Sequence, residues 1–291
     1  MANSRQPRKS TARRGVVLRT ERLTPHMVRV VLGGEGLKDL PVGRNTDAYV
    51  KLLFPAPGFE GQDLSNPGEL RANLPRTQWP RTRTYTIRHW DQELGELTVD
   101  FVQHGDKGLA GPWAASVAPG ATVWFGGPGG GYAPDPAAAW HLLAGDESAL
   151  PAIAAALESL PAGAKAVAFI EVADQAEEQP MAASPGAEVV WLHRGARRVG
   201  ELLVERVTAL EFADGDPQVF VHGEAAFVKE LRHHLRVERE LPRELLSISG
   251  YWRLGMDEDG WQSSKSVWNA QVEQDEVTAL AAAEATVRSA R

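Results

Sequence analysis

One short segment, RTRTYTIRHW at residues 81–90, combines cofactor-binding residue types with the alternation of a β-strand. Successive side chains of a strand point to opposite faces, so Arg83 and Tyr85 share one face and lie about 7 Å apart. A guanidinium can hold a phosphate through two hydrogen bonds, and a phenol ring beside it can lie flat on a planar ring system. The pair therefore suits a flavin dinucleotide. The alternative is an ordinary strand that exposes polar side chains to solvent. Ile87 would share their face, and the other face would carry Thr84, Thr86 and Arg88.

The segments around this strand indicate a small β-barrel. Strand-like segments separated by Gly, Pro, Asn and Asp fill the first 125 residues. They are GVVLRT, HMVRVVLGG, DAYVKLLF, TRTYTIRH, GELTVDFVQ and ATVWFG. Six strands without long helical periods predict an antiparallel barrel.

From Trp140 the pattern changes to strands that alternate with helices. The predicted strands are WHLLAG, AKAVAFIEV, AEVVWLH and PQVFVHG, and the predicted helices are DESALPAIAAALESL, VGELLVERVTAL and EAAFVKELRHHLRVERE. Such a βαβ series forms a doubly wound, mostly parallel sheet with helices on both faces. The tail QVEQDEVTALAAAEATVRSA predicts one further helix.

A chain of 291 residues exceeds the usual size of a single hydrophobic core, so we expect two domains. The glycine-rich segment GGPGGGYAPDPAAA marks the predicted boundary. The division is a disordered basic arm over 1–14, a β-barrel over 15–127, an α/β domain over 138–268 and a helical extension over 269–291.

Composition excludes several classes of protein. The net charge of −7 argues against nucleic-acid binding. Cys is absent, so disulfides, thiolate metal sites and iron–sulfur clusters are excluded and any redox chemistry requires a bound cofactor. No apolar run reaches the ~18–20 residues that cross a bilayer, and the first residues lack the apolar stretch of a secretory signal. We therefore expect a cytoplasmic monomer with no membrane or nucleic-acid partner.

Several motifs in a fixed order give the chain a resemblance to a known family. They are RTYTIR (83–88), VDFVQHGDKGLAGPWA (99–114), FGGPGG (125–130), LLAGDESALPAIAAALESLP (142–161), HGEAAFVKELRHHL (222–235) and SGYWRLG (249–255). From about Gly15 to Trp268 the chain resembles the siderophore-interacting proteins, which are flavin-dependent ferric-siderophore reductases related to ferredoxin–NADP reductases.

The resemblance implies where FAD binds. Arg83 would hold the pyrophosphate, Tyr85 would stack on the isoalloxazine, and Thr86 would approach flavin N5 although alternation puts it on the opposite face. A second segment would offer backbone N–H groups from a tight loop and a helix start. Gly111 stands where the family commonly has a serine, which removes one hydroxyl donor. The FAD-binding residues implied are Arg83, Thr84, Tyr85, Thr86, Asp100, Val102, His104, Gly108, Ala110, Gly111, Trp113 and Ala114.

The second domain would bind a pyridine nucleotide. No G-x-G-x-x-G follows its first strand, so the common dinucleotide fingerprint is absent. AGDESALPA instead turns from strand to helix at the carboxyl edge of the sheet, where ligands of α/β sheets bind. We interpret Asp146 mainly as a helix cap, and His222 has a structural alternative as a ring bonded to backbone. The nucleotide-binding residues implied are Gly145, Asp146, Glu147, Ser148, His222 and Glu224.

The identity of the electron donor stays open at this stage. Arg194, Arg197 and Arg198 follow a predicted strand where adenine-ribose recognition often occurs, and three cations there favour NADPH over NADH. A solvated surface is the alternative. An extended C-terminal helix accompanies family members served by NADH or by ferredoxin, so all three donors remain candidates.

An anionic ferric siderophore would need local cations in an acidic protein. The resemblance implies Lys51, Arg253 and Lys265 for this role, with flat contact surface from Tyr251 and Trp252. Gly129 departs from the Gly-Pro-Arg-Gly that the family often has, which points to a weaker site or to a less charged siderophore such as a hydroxamate.

The function expected from these residues is an FAD-dependent NAD(P)H:ferric-siderophore oxidoreductase that releases Fe(II) in the cytoplasm. Flavin accepts a hydride and gives up single electrons, so neither an acid–base catalyst nor a protein-bound metal is required. A ferredoxin- or flavodoxin-linked flavin reductase and a non-enzymatic siderophore-binding protein are the alternatives.

Overall fold

The computed structural model describes residues 11–103, 105 and 108–289, and the chain divides into two compact units. Of the described residues, the first unit contains those up to Arg22 together with Val28–Gly43 and Ala48–Gly129. The second contains Leu23–Met27, Arg44–Asp47 and the described residues from Gly130 onward.

The first unit is the predicted barrel. Its strands are β1 (Arg13–Thr24), β2 (Met27–Gly33), β3 (Tyr49–Phe54), β4 (Arg81–Asp91), β5 (Glu96–Val102) and β6 (Thr122–Gly129), with short helices α1 (Pro67–Asn73) and α2 (Ala110–Ser116). They close in the order β1-β2-β5-β4-β3-β6, which confirms the six-stranded antiparallel barrel. Alternate residues of each strand fill the interior because a strand presents every second side chain to the same face. Val30, Leu52, Val99 and Phe125 are among the side chains of this core.

The second unit is a parallel sheet. Its strands are β7 (Trp140–Gly145), β8 (Ala166–Val172), β9 (Ala187–His193), β10 (Pro217–Glu224) and β11 (Leu246–Trp252), and its helices are α3 (Leu150–Ser159), α4 (Glu201–Thr208) and α5 (Ala225–His233). Each neighbouring pair is parallel in the order β11-β10-β7-β8-β9. Leu143 packs with α3 in one cluster, whereas Leu142 and Ala144 pack with α4 and α5 in another. The sheet is therefore covered on both faces, as the βαβ pattern predicts.

The order of the strands determines where a ligand can bind. The chain runs outward from β7 to β8 and β9, then returns to the other side of β7 with β10 and β11. Ligands of open α/β sheets bind beyond the carboxyl ends of the strands, at the point where this direction reverses. That point lies beyond Gly145 and Glu224, which end β7 and β10.

The last helix, α6 (Glu258–Ser289), begins before the extension predicted from the sequence. Its first turns contain Gly260 and two serines, which are weak helix formers, but Trp261 is fully buried and Trp268 packs on the core of the second unit. Tertiary packing thus supplies the stability that local propensity lacks. Among the residues that the structure describes, no helix combines the length and the apolarity needed to span a membrane.

Glu276 attaches α6 to α5 and to the π-helical turn that follows α5. Its carboxylate accepts from Arg232 Nε at 2.7 Å and from Arg236 Nε at 2.9 Å, and all three side chains are largely buried. Burial acts to raise the pKa of Glu276, but the hydrogen bonds from the two arginines outweigh it and lower the pKa.

Replacing Glu276 by Gln should lower the free energy of unfolding by about 1–3 kcal/mol, because two largely buried guanidinium groups lose their counter-charge. Urea unfolding followed by circular dichroism measures this change. Glu273→Gln is the matched control, since Glu273 pairs with Arg243 on an exposed surface and such a pair contributes about 0–1 kcal/mol. Equal losses in the two variants would contradict the anchoring role of Glu276.

Candidate cofactor and substrate sites

Strand β4 presents Arg83 and Tyr85 on the same face, as alternation predicts. Arg83 lies opposite Leu52 and Tyr85 opposite Val50 in the register with β3. Directly opposed residues of antiparallel strands point to the same side, so both side chains share the face of the buried Val50 and Leu52. Both are nevertheless only partly buried, and Arg83 Nη1 donates to the carbonyl of Thr82 at 2.8 Å.

An aromatic row supports the Tyr85 ring. Its centroid lies 4.3 Å from that of Phe101, which in turn lies 5.6 Å from the centroid of Trp113. Phe101 is buried in the barrel core, whereas Tyr85 keeps part of its surface accessible. The orientation of the phenol ring is therefore set by packing before any ligand arrives, which suits a stacking surface.

Thr84 and Thr86 lie on the opposite face of β4, across from Lys51 and Tyr49. The irregularity of β4 lies between Ile87 and His89, beyond Thr86, so it does not turn the buried Thr86 toward Tyr85. The contact of Thr86 with flavin N5 stays a prediction.

The second predicted FAD segment contains packing residues and a glycine with a positive φ. The Asp100 carboxylate is buried and accepts from Arg29 Nε and Nη2 at 2.7 and 2.8 Å, and the side chains of Ala110 and Ala114 lie in the core. Trp113 packs edge-on against Phe54.

Gly108 has a φ of 87°, a conformation that favours glycine. His104 lies outside the described residues.

Gly111 belongs to a close approach between α2 and β5. A β-carbon at Gly111 would lie 2.8 Å from the backbone oxygen of Val102. This backbone leaves no room for the serine that is common at this position in the resembled family. The short distance between α2 and β5 therefore requires glycine at position 111.

At the carboxyl edge of the sheet, the buried Asp146 joins several segments. Oδ1 accepts from the Ser148 backbone N–H at 2.9 Å and from its hydroxyl at 2.5 Å. Oδ2 accepts from the Glu224 N–H and from Trp252 Nε1, both at 2.8 Å. Helix α3 begins at Leu150, so Asp146 caps the preceding turn and not the helix itself. Gly145 permits this turn and the close approach of β10, since a β-carbon there would lie 2.5 Å from the Ala149 β-carbon and 2.7 Å from the His222 carbonyl oxygen.

The carboxylate of Glu224 is also hydrogen-bonded within the protein. Its Oε2 accepts from the Ala226 N–H at 2.7 Å at the start of α5, and its Oε1 accepts from the Leu254 N–H at 3.1 Å. Together with the Asp146–Trp252 bond, this contact fixes the segment that carries Arg253. Glu147 and Ser148 remain partly exposed at this edge.

His222 is a buried, neutral ring. It stacks on Phe220 with centroids 3.9 Å apart, meets Tyr251 edge-on at 4.9 Å, and shares a 3.0 Å hydrogen bond between Nε2 and the Ser247 hydroxyl. Burial, and secondarily the charge of Lys265, lowers the pKa of His222 to about 3. The structure therefore brings together His222, Tyr251 and Lys265, whose Nζ donates to the Ser249 hydroxyl at 3.3 Å.

The other two predicted substrate cations are exposed. Lys51, in the first unit, places Nζ 5.9 Å from the centroid of the Tyr49 ring. Arg253 belongs to the second unit. The Tyr49 ring also occupies the space above Gly129, because a β-carbon there would lie 2.5 Å from the ring. In the described part of the chain, no group of three or more His, Asp or Glu side chains could hold a metal ion.

Two of the three arginines after β9 are engaged with carboxylates. Arg194 pairs with Glu147 and Glu171, and Arg197 pairs with Glu201 and Glu205. Sequence reasoning missed Glu171 and the indole of Trp252 as partners. A single acid inside the otherwise apolar strand AVAFIEV was a signal that could have identified Glu171, because a buried charge needs a partner.

Two family models match the barrel and the parallel sheet, and their matches end before α6. The siderophore-interacting FAD-binding domain matches residues 16–132, and the siderophore-interacting protein model matches residues 138–255.

Curated proteins of similar length align with the chain. An uncharacterized protein of Mycobacterium tuberculosis is 47% identical, with 86% of this chain and 93% of that protein covered. The ferric vibriobactin reductase ViuB of Vibrio cholerae is 31% identical over 86% and 92% of the two chains. The NADPH-dependent ferric-chelate reductase of Escherichia coli is 31% identical over 81% and 91%.

Solved structures agree with these relationships. A siderophore utilization protein from T. fusca superimposes with a TM-score of 0.75 at 38% identity, covering 86% of this chain and 95% of that one. The ferredoxin reductase in carbazole 1,9a-dioxygenase has a TM-score of 0.60 at 14% identity over 83% and 70% of the chains, a similarity of fold alone.

Gly111→Ala should destabilise the protein by about 1–3 kcal/mol, since the added carbon forces α2 away from Val102. Gly126→Ala, in the same unit, adds the same carbon where no atom lies within 4 Å and should change stability by less than about 0.5 kcal/mol. Chemical unfolding of the two variants compares them. A Gly111→Ala protein as stable as the Gly126→Ala protein would contradict the close approach.

Asp146 should make stability depend on pH in a defined direction. Burial, then the neighbouring Glu147, raises its pKa from 3.8 to about 6, against the effect of its hydrogen bonds. Between about pH 4 and 6 the folded protein holds a proton that the unfolded chain has released, so the contribution of this carboxyl to stability falls as pH rises through that window. The difference in pKa corresponds to about 3 kcal/mol.

The measurement is the difference in unfolding free energy between the wild type and Asp146→Asn, taken from pH 4 to pH 7.5. We expect this difference to be larger at pH 4 than at pH 7. Asp174→Asn makes the same change at an exposed turn, where Asp174 also accepts a backbone N–H, and is the matched control. A difference that is flat, or that grows with pH, would show that Asp146 is ionised throughout.

Proposed function

Because this chain belongs to the siderophore-interacting protein family, we propose that it passes electrons from NAD(P)H through FAD to a ferric siderophore and releases Fe(II) in the cytoplasm. Two relatives of more than 30% identity are named as a ferric vibriobactin reductase and a ferric-chelate reductase. Those names support a reductase over a module that only binds the chelate.

The observation that carries the proposal is the pairing of Arg83 with Tyr85 on one face of β4. The residues fit FAD chemically, because a guanidinium supplies two parallel donors to a pyrophosphate and the Phe101-supported phenol supplies a stacking surface. Both lie inside the segment that matches the FAD-binding domain. Arg83 would hold the phosphates and Tyr85 would orient the isoalloxazine.

Bound FAD would accept a two-electron hydride and deliver electrons singly, so one hydride suffices for two Fe(III) centres. The residues of the protein then need only bind and orient FAD, the nucleotide and the ferric siderophore. His222 has a pKa of about 3, so near neutral pH the ring is neutral and does not form the imidazolium that would act as a general acid. This agrees with a reaction that requires no acid–base residue.

On the second unit, the nucleotide would meet the carboxyl edge of the sheet beside Gly145. Asp146 and Glu224 act there by positioning, because their carboxylate oxygens accept hydrogen bonds from the protein itself. Glu147 and Ser148 are the partly exposed side chains of the turn and would face the nucleotide.

The proposed substrate contacts are Lys51, Arg253 and Lys265. Each places a cation within an acidic protein, and a local positive potential raises the residence of an anionic ferric chelate. The ring of Tyr49, which lies beside Lys51, adds a flat surface to that contact.

Arg83→Ala should raise the dissociation constant for FAD about 10- to 100-fold, the range expected when a charge-assisted hydrogen bond is lost. Flavin absorbance after gel filtration measures occupancy, and trapping of Fe(II) with a chromogenic chelator measures the reaction. Both should fall together when NADH or NADPH is supplied with a ferric catecholate or a ferric hydroxamate.

Arg19→Ala is the matched control, since Arg19 is an exposed arginine of the same barrel that pairs with Glu96. It should keep full flavin occupancy. Full flavin occupancy in the Arg83→Ala protein would contradict the proposed contact between Arg83 and the pyrophosphate. Wild-type protein that never takes up FAD would favour a non-enzymatic siderophore-binding protein.

A further inference from the structure

Three charged side chains meet at the carboxyl ends of neighbouring strands. Glu147 follows β7, Glu171 lies near the end of β8, and Arg194 follows β9. Arg194 Nη2 donates to Glu147 Oε1 at 2.6 Å, and its Nη1 donates to Glu147 Oε2 at 3.2 Å and to Glu171 Oε1 at 3.1 Å. The same Glu171 oxygen accepts from the Gly200 N–H at 2.9 Å.

Arg194 is held in this arrangement. Its side chain is 14% exposed, those of Glu147 and Glu171 are 13% and 0% exposed, and Glu171 Oε2 is buried without a hydrogen-bond partner. Turning the guanidinium toward another anion would leave two poorly solvated carboxylates without their counter-charge. Arg194 is therefore not available to a phosphate.

The cluster carries no net positive charge in either protonation state of Glu171. Burial raises the pKa of Glu171, with the Gly200 and Arg194 hydrogen bonds opposing it. With both glutamates ionised the cluster has a net charge of −1, and with Glu171 protonated the net charge is zero. Arg197 adds no net positive charge, since Glu201 Oε1 and Glu205 Oε1 lie 3.4 and 2.8 Å from its Nη1. Of Arg194, Arg197 and Arg198, only Arg198 lacks an ion pair among the described residues.

This charge arrangement bears on the ribose of the electron donor. In nucleotide-binding α/β sheets, an Asp or Glu carboxylate accepts from the ribose 2′-hydroxyl of NADH, whereas a nearby arginine accommodates the 2′-phosphate of NADPH. Glu147 is the outermost carboxylate of the cluster, and Arg194 fixes its orientation. A 2′-phosphate placed beside Glu147 would add like charge, and like charges at close range oppose binding.

We propose that Glu147, positioned by Arg194 and Glu171, selects NADH over NADPH as the electron donor of this protein. The inference rests on the proposed function and names its donor. Glu147 is the specificity-determining residue, and Arg194 and Glu171 are positioning residues.

The test uses the FAD-loaded protein under anaerobic conditions and follows bleaching of the flavin by NADH and by NADPH. We expect the wild type to favour NADH by at least about tenfold in the ratio of second-order rate constants, equivalent to about 1.4 kcal/mol. Glu147→Gln removes the charge and keeps the size, so the ratio should fall severalfold, mainly through faster reduction by NADPH.

Glu188→Gln is the matched control, because Glu188 is an exposed carboxylate at the opposite, amino-terminal end of β9. It should leave the donor ratio unchanged. An unaltered ratio in Glu147→Gln, or a ratio that changes equally in both variants, would overturn the role of Glu147. Wild-type protein that is reduced equally fast by NADPH, or by neither nucleotide, would overturn the preference itself.

Failure of the proposed function is detected separately. Dithionite reduces bound flavin without any nucleotide, so reduced protein that has been freed of excess dithionite by anaerobic gel filtration should release trappable Fe(II) from a ferric siderophore whichever donor is used. Fe(II) release from that protein combined with a failed NADH preference would overturn only the donor inference. Absence of flavin uptake, or of Fe(II) from the reduced protein, would overturn the proposed function and the donor inference with it.

Discussion

The buried carboxylate of Asp146 is the contact on which the carboxyl edge of the sheet depends. It joins the turn after β7 to the ends of β10 and β11 by accepting from Ser148, Glu224 and Trp252. The neighbouring Gly223 makes this possible, since a β-carbon there would lie 2.7 Å from Asp146 Oδ2. A single buried charge with several donors thus makes three strand ends one rigid edge, because each donor would be costly to leave unpaired.

This constraint separates residues whose polar groups are used within the fold from residues that are proposed to contact a ligand. Asp146, Glu224 and Asp100 lie in the motifs of the family, yet their carboxylates are hydrogen-bonded inside the protein. Arg83 and Tyr85 remain partly exposed. Buried polar groups must find partners within the fold, so a motif residue can be indispensable to a site without touching the ligand.

The strands that pack a core on one or both faces were predictable, because alternation or continuous apolar runs mark them in the sequence. The edge strand β11 was not predicted, since most of its residues are only partly buried and it carries no continuous apolar run. The start of α6 at Glu258 was missed for a similar reason. Its first turns have weak local propensity, and they are held by burial of Trp261, a contact between segments that the sequence does not display.

The sequence by itself determined which residues share a face of β4, because side-chain direction along a strand follows from local backbone geometry alone. It also supplied the family motifs and their order. Only the tertiary structure decided that Arg194 is neutralised, since its partners Glu147 and Glu171 lie 47 and 23 positions away and meet it through the order of β7, β8 and β9. Electrostatics depends on distance in space, and strand order, which the pattern of residues leaves open, sets that distance.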